Sequence, residues 1–190
     1  MIAIALEFMR DVGFQLELAW QVVLRLPTAL RRRALIADQL FQAGLKVAHV
    51  VMFVGLFVGM ILALQTGIEL SRFGQQDQIG TIVALSMCRE MGPFFTATIL
   101  AATVGSALAA EIGTMAVSEE LSALEVMSID RVSYLVMPRV LAAAVMCPLL
   151  TVLCDAIGIV GGGLIADSQL NVGLSLYYDS VVDALNDRGL

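Results

Sequence analysis

The run VAHVVMFVGLFVGMILALQTGI, residues 47–68, carries no formally charged side chain. About 20 predominantly apolar residues suffice to cross the hydrocarbon core of a bilayer, so the stretch reads as a membrane-spanning helix. Gly55 and Gly59 within it place small residues four apart, the spacing that lets two helix backbones approach. His49, the only histidine of the chain, reads as a packed or interfacial residue rather than a functional one.

The composition around this segment agrees with it. Hydrophobic residues make up 59% of the 190 positions against 15% charged, and the mean hydropathy is +0.88, more apolar surface than one soluble core of this size can hide. A second span is expected over residues 78–112, interrupted by Arg89-Glu90 and then by Gly92-Pro93. Pro93 removes a backbone donor and disfavours helix at the residue before it, which predicts a kink or a helix restart. Gly105, Ala109 and Gly113 then set small residues on one face, expected to lie against another helix. A third span is expected over 138–166, with Asp155 inside it and glycines at 158, 161, 162 and 163. Residues 167–190 read as a polar loop in which Tyr177 and Tyr178 anchor the membrane interface.

Residues 1–30 have a different character. Glu7, Arg10, Asp11, Gln15, Glu17, Gln21 and Arg25 fall on about half of a helical wheel, opposite Phe8, Met9, Val12, Leu16, Ala19, Trp20 and Val23. Such a helix suits the headgroup plane; a partner-binding helix in a soluble assembly is the alternative. A cleavable signal peptide is not expected, because residues 1–6 lack a basic region and Glu7, Arg10 and Asp11 break any apolar core. Between the second and third spans, Ser118-Glu119-Glu120-Leu121 predicts the start of a short helix over 117–129. It has a capping serine, acidic residues at the positive end of the dipole, and an apolar edge of Leu121, Leu124 and Met127. It reads either as a solvated loop helix or as a docking helix for a soluble subunit. Six of the eleven basic residues precede the first span and Arg72 stands alone in the first loop. Positive-inside bias therefore puts the N-terminus and the 117–129 segment in the cytoplasm, and residues 167–190 in the periplasm.

Several function classes are set aside. A net charge of −6, with one dense basic cluster at Arg31, Arg32 and Arg33, argues against nucleic acid. Cys88, Cys147 and Cys154 lack the paired spacing of a metal or redox site. No nucleophile and base, and no metal-ligand set, is visible, so an enzyme is not expected. No phosphate-binding Gly-x-x-x-x-Gly-Lys-Ser/Thr loop occurs, which leaves any ATP chemistry to another chain.

The run Arg89-Glu90-Met91-Gly92-Pro93, then Gly105-Ser106-Ala107 with Ala110-Glu111-Ile112-Gly113-Thr114-Met115, then Glu119-Glu120-Leu121-Ser122-Ala123-Leu124-Glu125-Val126-Met127, and finally Pro138-Arg139-Val140-Leu141-Ala142, resembles the MlaE/YrbE family of permeases. The resemblance implies an all-α integral membrane fold: an N-terminal interfacial amphipathic helix, five transmembrane helices and a short cytoplasmic coupling helix. Three of the five spans fall in this sequence, so the chain is expected to be a single permease domain, incomplete at its C-terminus. Implied partners are a second permease copy in a homodimer, an ABC ATPase that binds the ATP, a periplasmic MCE-domain protein and a STAS-domain protein. The implied cargo is phospholipid, and the implied location is the bacterial inner membrane.

Within that frame Arg89 and Glu90 are the candidate substrate-binding residues. Charges are costly at membrane depth and usually face a cavity, a partner or each other. Arg89 would attract phosphate while Glu90 orients it or completes an ion pair; the alternative is a structural pair that holds the kink at Pro93. Asp155 reads as a packing residue hydrogen-bonded to a neighbouring span, and Leu56, Val58, Ile61 and Leu64 as candidates to line acyl chains. Glu119, Glu120, Leu121, Leu124, Glu125 and Met127 are the candidate ATPase-coupling residues. A membrane scaffold recruiting soluble proteins and an ion carrier are the competing readings.

Overall fold

The computed structural model describes residues 33–127 and 132–186, together with Glu7, Met9, Arg10, Val12, Gly13, Phe14, Glu17 and Trp20. Those eight N-terminal residues are helical, and Met9, Phe14 and Trp20 are exposed. The rest of the expected interfacial helix, the basic residues Arg31 and Arg32, and Ser128-Ile129-Asp130 lie outside the described residues.

Every element among the described residues is helical. Helix α1, Arg33–Phe73, includes the charge-free run and continues past both of its ends, since no proline interrupts it and the first strong stop is Gly74. Gly74 adopts φ +67, and the N–H of Gln75 reaches back to the carbonyl of Leu70 at 3.1 Å, a Schellman closure that only a residue at ease in the left-handed region supports. A 3-10 turn, Gln76–Gln78, leads into α2, Ile79–Ser86. There the ladder slips to a π-helical turn over Met87–Met91 and restarts as α3, Gly92–Val117, with Pro93 in its first turn, where a missing N–H costs nothing. Helix α4, Glu120–Val126, follows directly, and a second π turn, Val132–Val136, leads into α5, Met137–Leu170, again with a proline in the first turn. Three segments, Gln39–Phe73, Gln76–Val117 and Tyr134–Leu170, are long and apolar enough to cross a membrane.

The segment expected as a polar loop over 167–190 is instead the end of α5 and a further helix, α6, Leu174–Asn186. Its polar residues mask an amphipathic period: Tyr177, Val181 and Ala184 are buried while Asp179 and Asp183 face outward. Tyr177 is fully buried rather than an interface anchor, and its hydroxyl donates to the carbonyl of Ile159 on α5 at 3.0 Å. Burial pushes its phenol up from the ordinary value, which keeps it a neutral donor. The Thr81 hydroxyl on α2 donates to the Ser180 carbonyl at 3.1 Å and ties α6 to α2.

The frame of the bundle is the pairing of α1 with α5, the most extensive contact in the chain. On α1, Val47, Val51, Gly55, Gly59, Ala63 and Gly67 recur every four residues and are all buried; on α5, Leu150, Cys154, Gly158, Gly162 and Ala166 do the same. A side chain at Gly55 would come within 2.8 Å of the Cys154 carbonyl, and one at Gly59 would collide with the backbone of Gly158. The four-residue rows therefore meet backbone to backbone. The Gly105–Gly113 face differs from expectation: a side chain added at either glycine meets nothing within this chain. The membrane hydroxyls of Thr66, Thr98, Thr103 and Thr151 each donate to a carbonyl four residues earlier in their own helix, whereas the Thr96 hydroxyl is buried without a hydrogen-bond partner.

Because the neighbour of Gly59 is main chain and cannot rotate aside, Gly59→Leu in the complete permease is expected to destabilise it by about 1–3 kcal/mol. Ile61→Val, on a side chain that is 60% exposed, is expected to shift stability by less than about 0.5 kcal/mol. Melting in detergent measures both, and a Gly59→Leu protein that melts with wild type would mean the two backbones are not in contact.

Candidate functional site

The site forms where the second span loses its α-helical register. The π turn widens the helix by one residue and carries Arg89 and Glu90 on its exposed side, while Met87 points into the core. Among the described residues no ion pair joins Arg89 to Glu90. Glu90 instead lines a cavity of about 500 Å³ with Met91, Phe94 and Phe95, whose lining is almost wholly apolar apart from that carboxylate. The two phenylalanine rings meet edge to face with centroids 5.5 Å apart. Arg89 stands next to the cavity in sequence but is not part of its wall. An open apolar pocket with one acid at its edge and a guanidinium beside it suits an amphipathic molecule better than an ion or a polar solute.

Asp155 approaches the same turn from behind. Its Oδ1 occupies the space a side chain at position 92 would fill, so a larger residue there would have to push the Asp155 carboxylate aside. That oxygen is buried without a hydrogen-bond partner, which differs from the expected bond to a neighbouring span. Of the four residues expected to line acyl chains, Leu56 packs against Gly161 of α5 and Val58 is partly buried against the core, whereas Ile61 and Leu64 stay exposed; none of the four walls the cavity. The aromatic pair Phe94-Phe95, directly after Pro93, was missed by sequence reasoning, although two aromatics one residue past a helix restart beside charged residues are a readable signal.

At the other end of α3 the chain turns sharply into α4. Ser118 does not cap α4; its hydroxyl donates to the Thr114 carbonyl at 3.0 Å. The residue before α4 is Glu119, held in the left-handed region at φ 59, and its carbonyl accepts from the N–H groups of Ser122 and Ala123. The expected coupling residues divide between two faces. Leu124 is only 8% exposed and Leu121 is half-buried, so both pack inward, while Glu119, Glu120, Glu125 and Met127 face out. Two residues missing from the sequence-based set, Val117 and Val126, are 88% and 86% exposed.

A third cluster was also missed as a cluster. Arg139, in the first turn of α5, is paired with Glu111 on α3, and its Nε donates to Gln39 Oε1 on α1 at 3.2 Å. A cation at a helix N-terminus is disfavoured by the dipole, and the Glu111 carboxylate offsets this.

Three apolar helices locked through a glycine seam, with an amphipathic cavity beside a broken span, define a multi-pass helical membrane protein. The family described as Permease MlaE matches residues 36–188, and the chain belongs to that family. It is 41% identical over 152 residues to a probable ABC transporter permease protein of Rickettsia typhi, covering 80% of this chain and 59% of that protein. It is 36% identical over 160 residues to the intermembrane phospholipid transport system permease protein MlaE of Haemophilus influenzae, covering 84% of this chain and 61% of the relative. Similarity reaches the chloroplastic trigalactosyldiacylglycerol 1 protein of Arabidopsis thaliana, 36% identical over 168 residues, 88% of this chain and 48% of that one. The chain thus spans roughly half to three-fifths of the length of these relatives.

The two faces of α4 differ in burial, Leu124 packed inward and Met127 exposed. Leu124→Ala is expected to cost the complete permease about 2 kcal/mol or more of stability, and Met127→Ala less than about 0.5 kcal/mol. Thermal unfolding in detergent reads both; equal losses would mean that Leu124 is not the inward anchor of α4.

Proposed function

We propose that this chain forms the membrane-spanning core of an ABC-type permease subunit that carries phospholipid or a related lipid between the inner and outer membranes. The observation that carries this reading is the cavity of Glu90, Met91, Phe94 and Phe95, apolar over most of its wall and bordered by charge at the π turn. Its shape supports an acyl chain against the aromatic pair, with a phosphate headgroup drawn toward Arg89 and oriented by Glu90. Membership of the MlaE permease family supports the same cargo, since the Haemophilus influenzae relative is named for intermembrane phospholipid transport.

In this reading the chain is the transport subunit, and ATP binds a separate ATPase subunit, as the name ABC transporter permease of the Rickettsia typhi relative supports. Helix α4 is the docking element for that subunit, through Glu119, Glu120, Glu125 and Met127 together with the exposed Val117 and Val126. ATP-driven displacement of α4 biases the spans between two cavity states. A homodimer of permeases, an MCE-domain protein on the periplasmic side and a STAS-domain protein on the ATPase complete the assembly. The N-terminus is cytoplasmic, on the basic residues ahead of α1.

The exposed apolar residues of α4 also favour one competing reading, a scaffold that recruits a soluble partner without moving lipid. Purification of the complete permease with its ATPase, followed by mass spectrometry of bound lipid, separates the two. Wild type is expected to retain both ATPase and phospholipid, and Arg89→Ala with Glu90→Ala to keep the ATPase while losing about tenfold or more of the lipid. ATPase without lipid in wild type would favour the scaffold. Unchanged lipid in the double variant would remove Arg89 and Glu90 from the site.

A further inference from the structure

A second cavity, about 260 Å³, lies at the α4 end of the bundle, where the start of α1, the end of α3 and the start of α5 converge. Its wall includes Gln39 and Lys46 from α1, Thr103 and Glu111 from α3, and Arg139 from α5. It shares no lining residue with the cavity at Glu90, and the nearest lining residues of the two on α3, Phe95 and Thr103, are eight positions apart, roughly 12 Å at helical rise.

The chemistry of the wall is cationic. Lys46 and Arg139 contribute two positive charges against the single carboxylate of Glu111. Arg139 is only 7% exposed. Its Nη2 is taken by Glu111 and its Nε by Gln39, but its Nη1 is buried with no hydrogen-bond partner. A buried guanidinium nitrogen left unpaired costs more than an ordinary polar group, so an acceptor at this position is strongly favoured. Lys46 forms no ion pair among the described residues.

Size limits the ligand. The volume is below the roughly 300 Å³ at which sites for drug-sized molecules begin, so a headgroup fits and acyl chains do not. An exit for such chains is present: Val50, Phe53 and Phe57 follow Lys46 at steps of four, three and four on one face of α1, and all are exposed. We propose that this cleft binds the phosphate group of a phospholipid, with Arg139 and Lys46 as donors and the chains lying along the Val50–Phe53–Phe57 track. The lipid sits at the base of the connection between α3 and α5, where the chain passes through α4. This site stands apart from the one assigned to cargo at Arg89 and Glu90, and neither depends on the other.

The test uses the complete permease carrying Arg89→Ala and Glu90→Ala, so that the first site is silent. Native mass spectrometry follows titration with phosphatidylglycerol and, separately, with diacylglycerol, which has the same chains and no phosphate. Phosphatidylglycerol is expected to bind, Lys46→Glu to weaken it about tenfold, and Lys46→Arg to leave it unchanged. Lys46 is exposed, so its variants test the site without the risk to folding that a change at Arg139 carries. Displacement of the lipid by millimolar inorganic phosphate would show that the anion alone suffices as ligand, and lack of displacement that the chains are needed too. Equal binding of diacylglycerol, or undiminished binding in Lys46→Glu, overturns the proposal.

Discussion

The arrangement of the chain depends on the direct meeting of two backbones, α1 at Gly59 and α5 at Gly158, where neither position has room for a side chain. In lipid there is little hydrophobic drive between apolar helices, so association rests on close van der Waals packing, and small residues provide the closeness. The same glycine run then serves the other elements. Met87, from the π turn, packs its methyl group against Gly158; Val83 of α2 and the Tyr177 hydroxyl of α6 sit over Gly162, and the Tyr177 ring lies against Gly163. Four elements converge on six residues of α5. A bulky residue there would displace more than one partner, and both the second span and α6 would lose their seat.

The candidate cargo site is a consequence of that seat. Met87 fixes the π turn on Gly158, Asp155 fills the space left by Gly92, and Pro93 restarts the helix. With its inner side held at two points, the turn has to present Arg89 and Glu90 outward. The extra residue of a π turn is costly in regular helix, and such bulges are common at functional sites for that reason. The buried, unpartnered Asp155 oxygen adds to the cost. The seam between α1 and α5 holds the strained turn in place while contributing no residue to the cavity wall.

How much of this was legible in the sequence follows from what each feature requires. A charge-free run of 22 residues at 47–68 announces a span by itself, and Pro93 announces a break. Gly55 and Gly59 signal close packing but not their partner row, because Gly158 and Gly162 become a row only once α5 is placed against α1. Helix α6 was hidden because Asp179, Asp183 and Asn186 suggest a loop when counted, whereas the period of Tyr177, Val181 and Ala184 decides the structure. The left-handed Glu119 has no sequence signal, since glutamate is an ordinary helix former and the backbone at that position is set by the turn from α3 into α4. The pair Glu111–Arg139 is separated by 28 positions and is brought together only by the bundle. Both residues stood in the motifs that carried the family resemblance, but a motif does not state which of its residues touch.

The two ends of α3 are linked by the stiffness of one helix. From Gly92 to Val117 the α-helical ladder is unbroken, about 39 Å at the rise of a helix, with α4 at one end and the π turn at the other. Regular helix absorbs little bending, whereas a π turn followed by proline has already given up part of its ladder and is the softest point of the span. Along its length α3 is held weakly on the side where Gly105 and Gly113 meet no neighbour in this chain. Under the transport reading, a displacement imposed at α4 would pass along α3 and be taken up at residues 87–91, where Arg89 and Glu90 stand beside the cavity. The Glu111–Arg139 pair, near the α4 end, ties α3 to α5 and makes that end the pivot. Under the transport reading, one helix thus joins the docking surface to the lipid site, and no separate relay of side chains is needed between them.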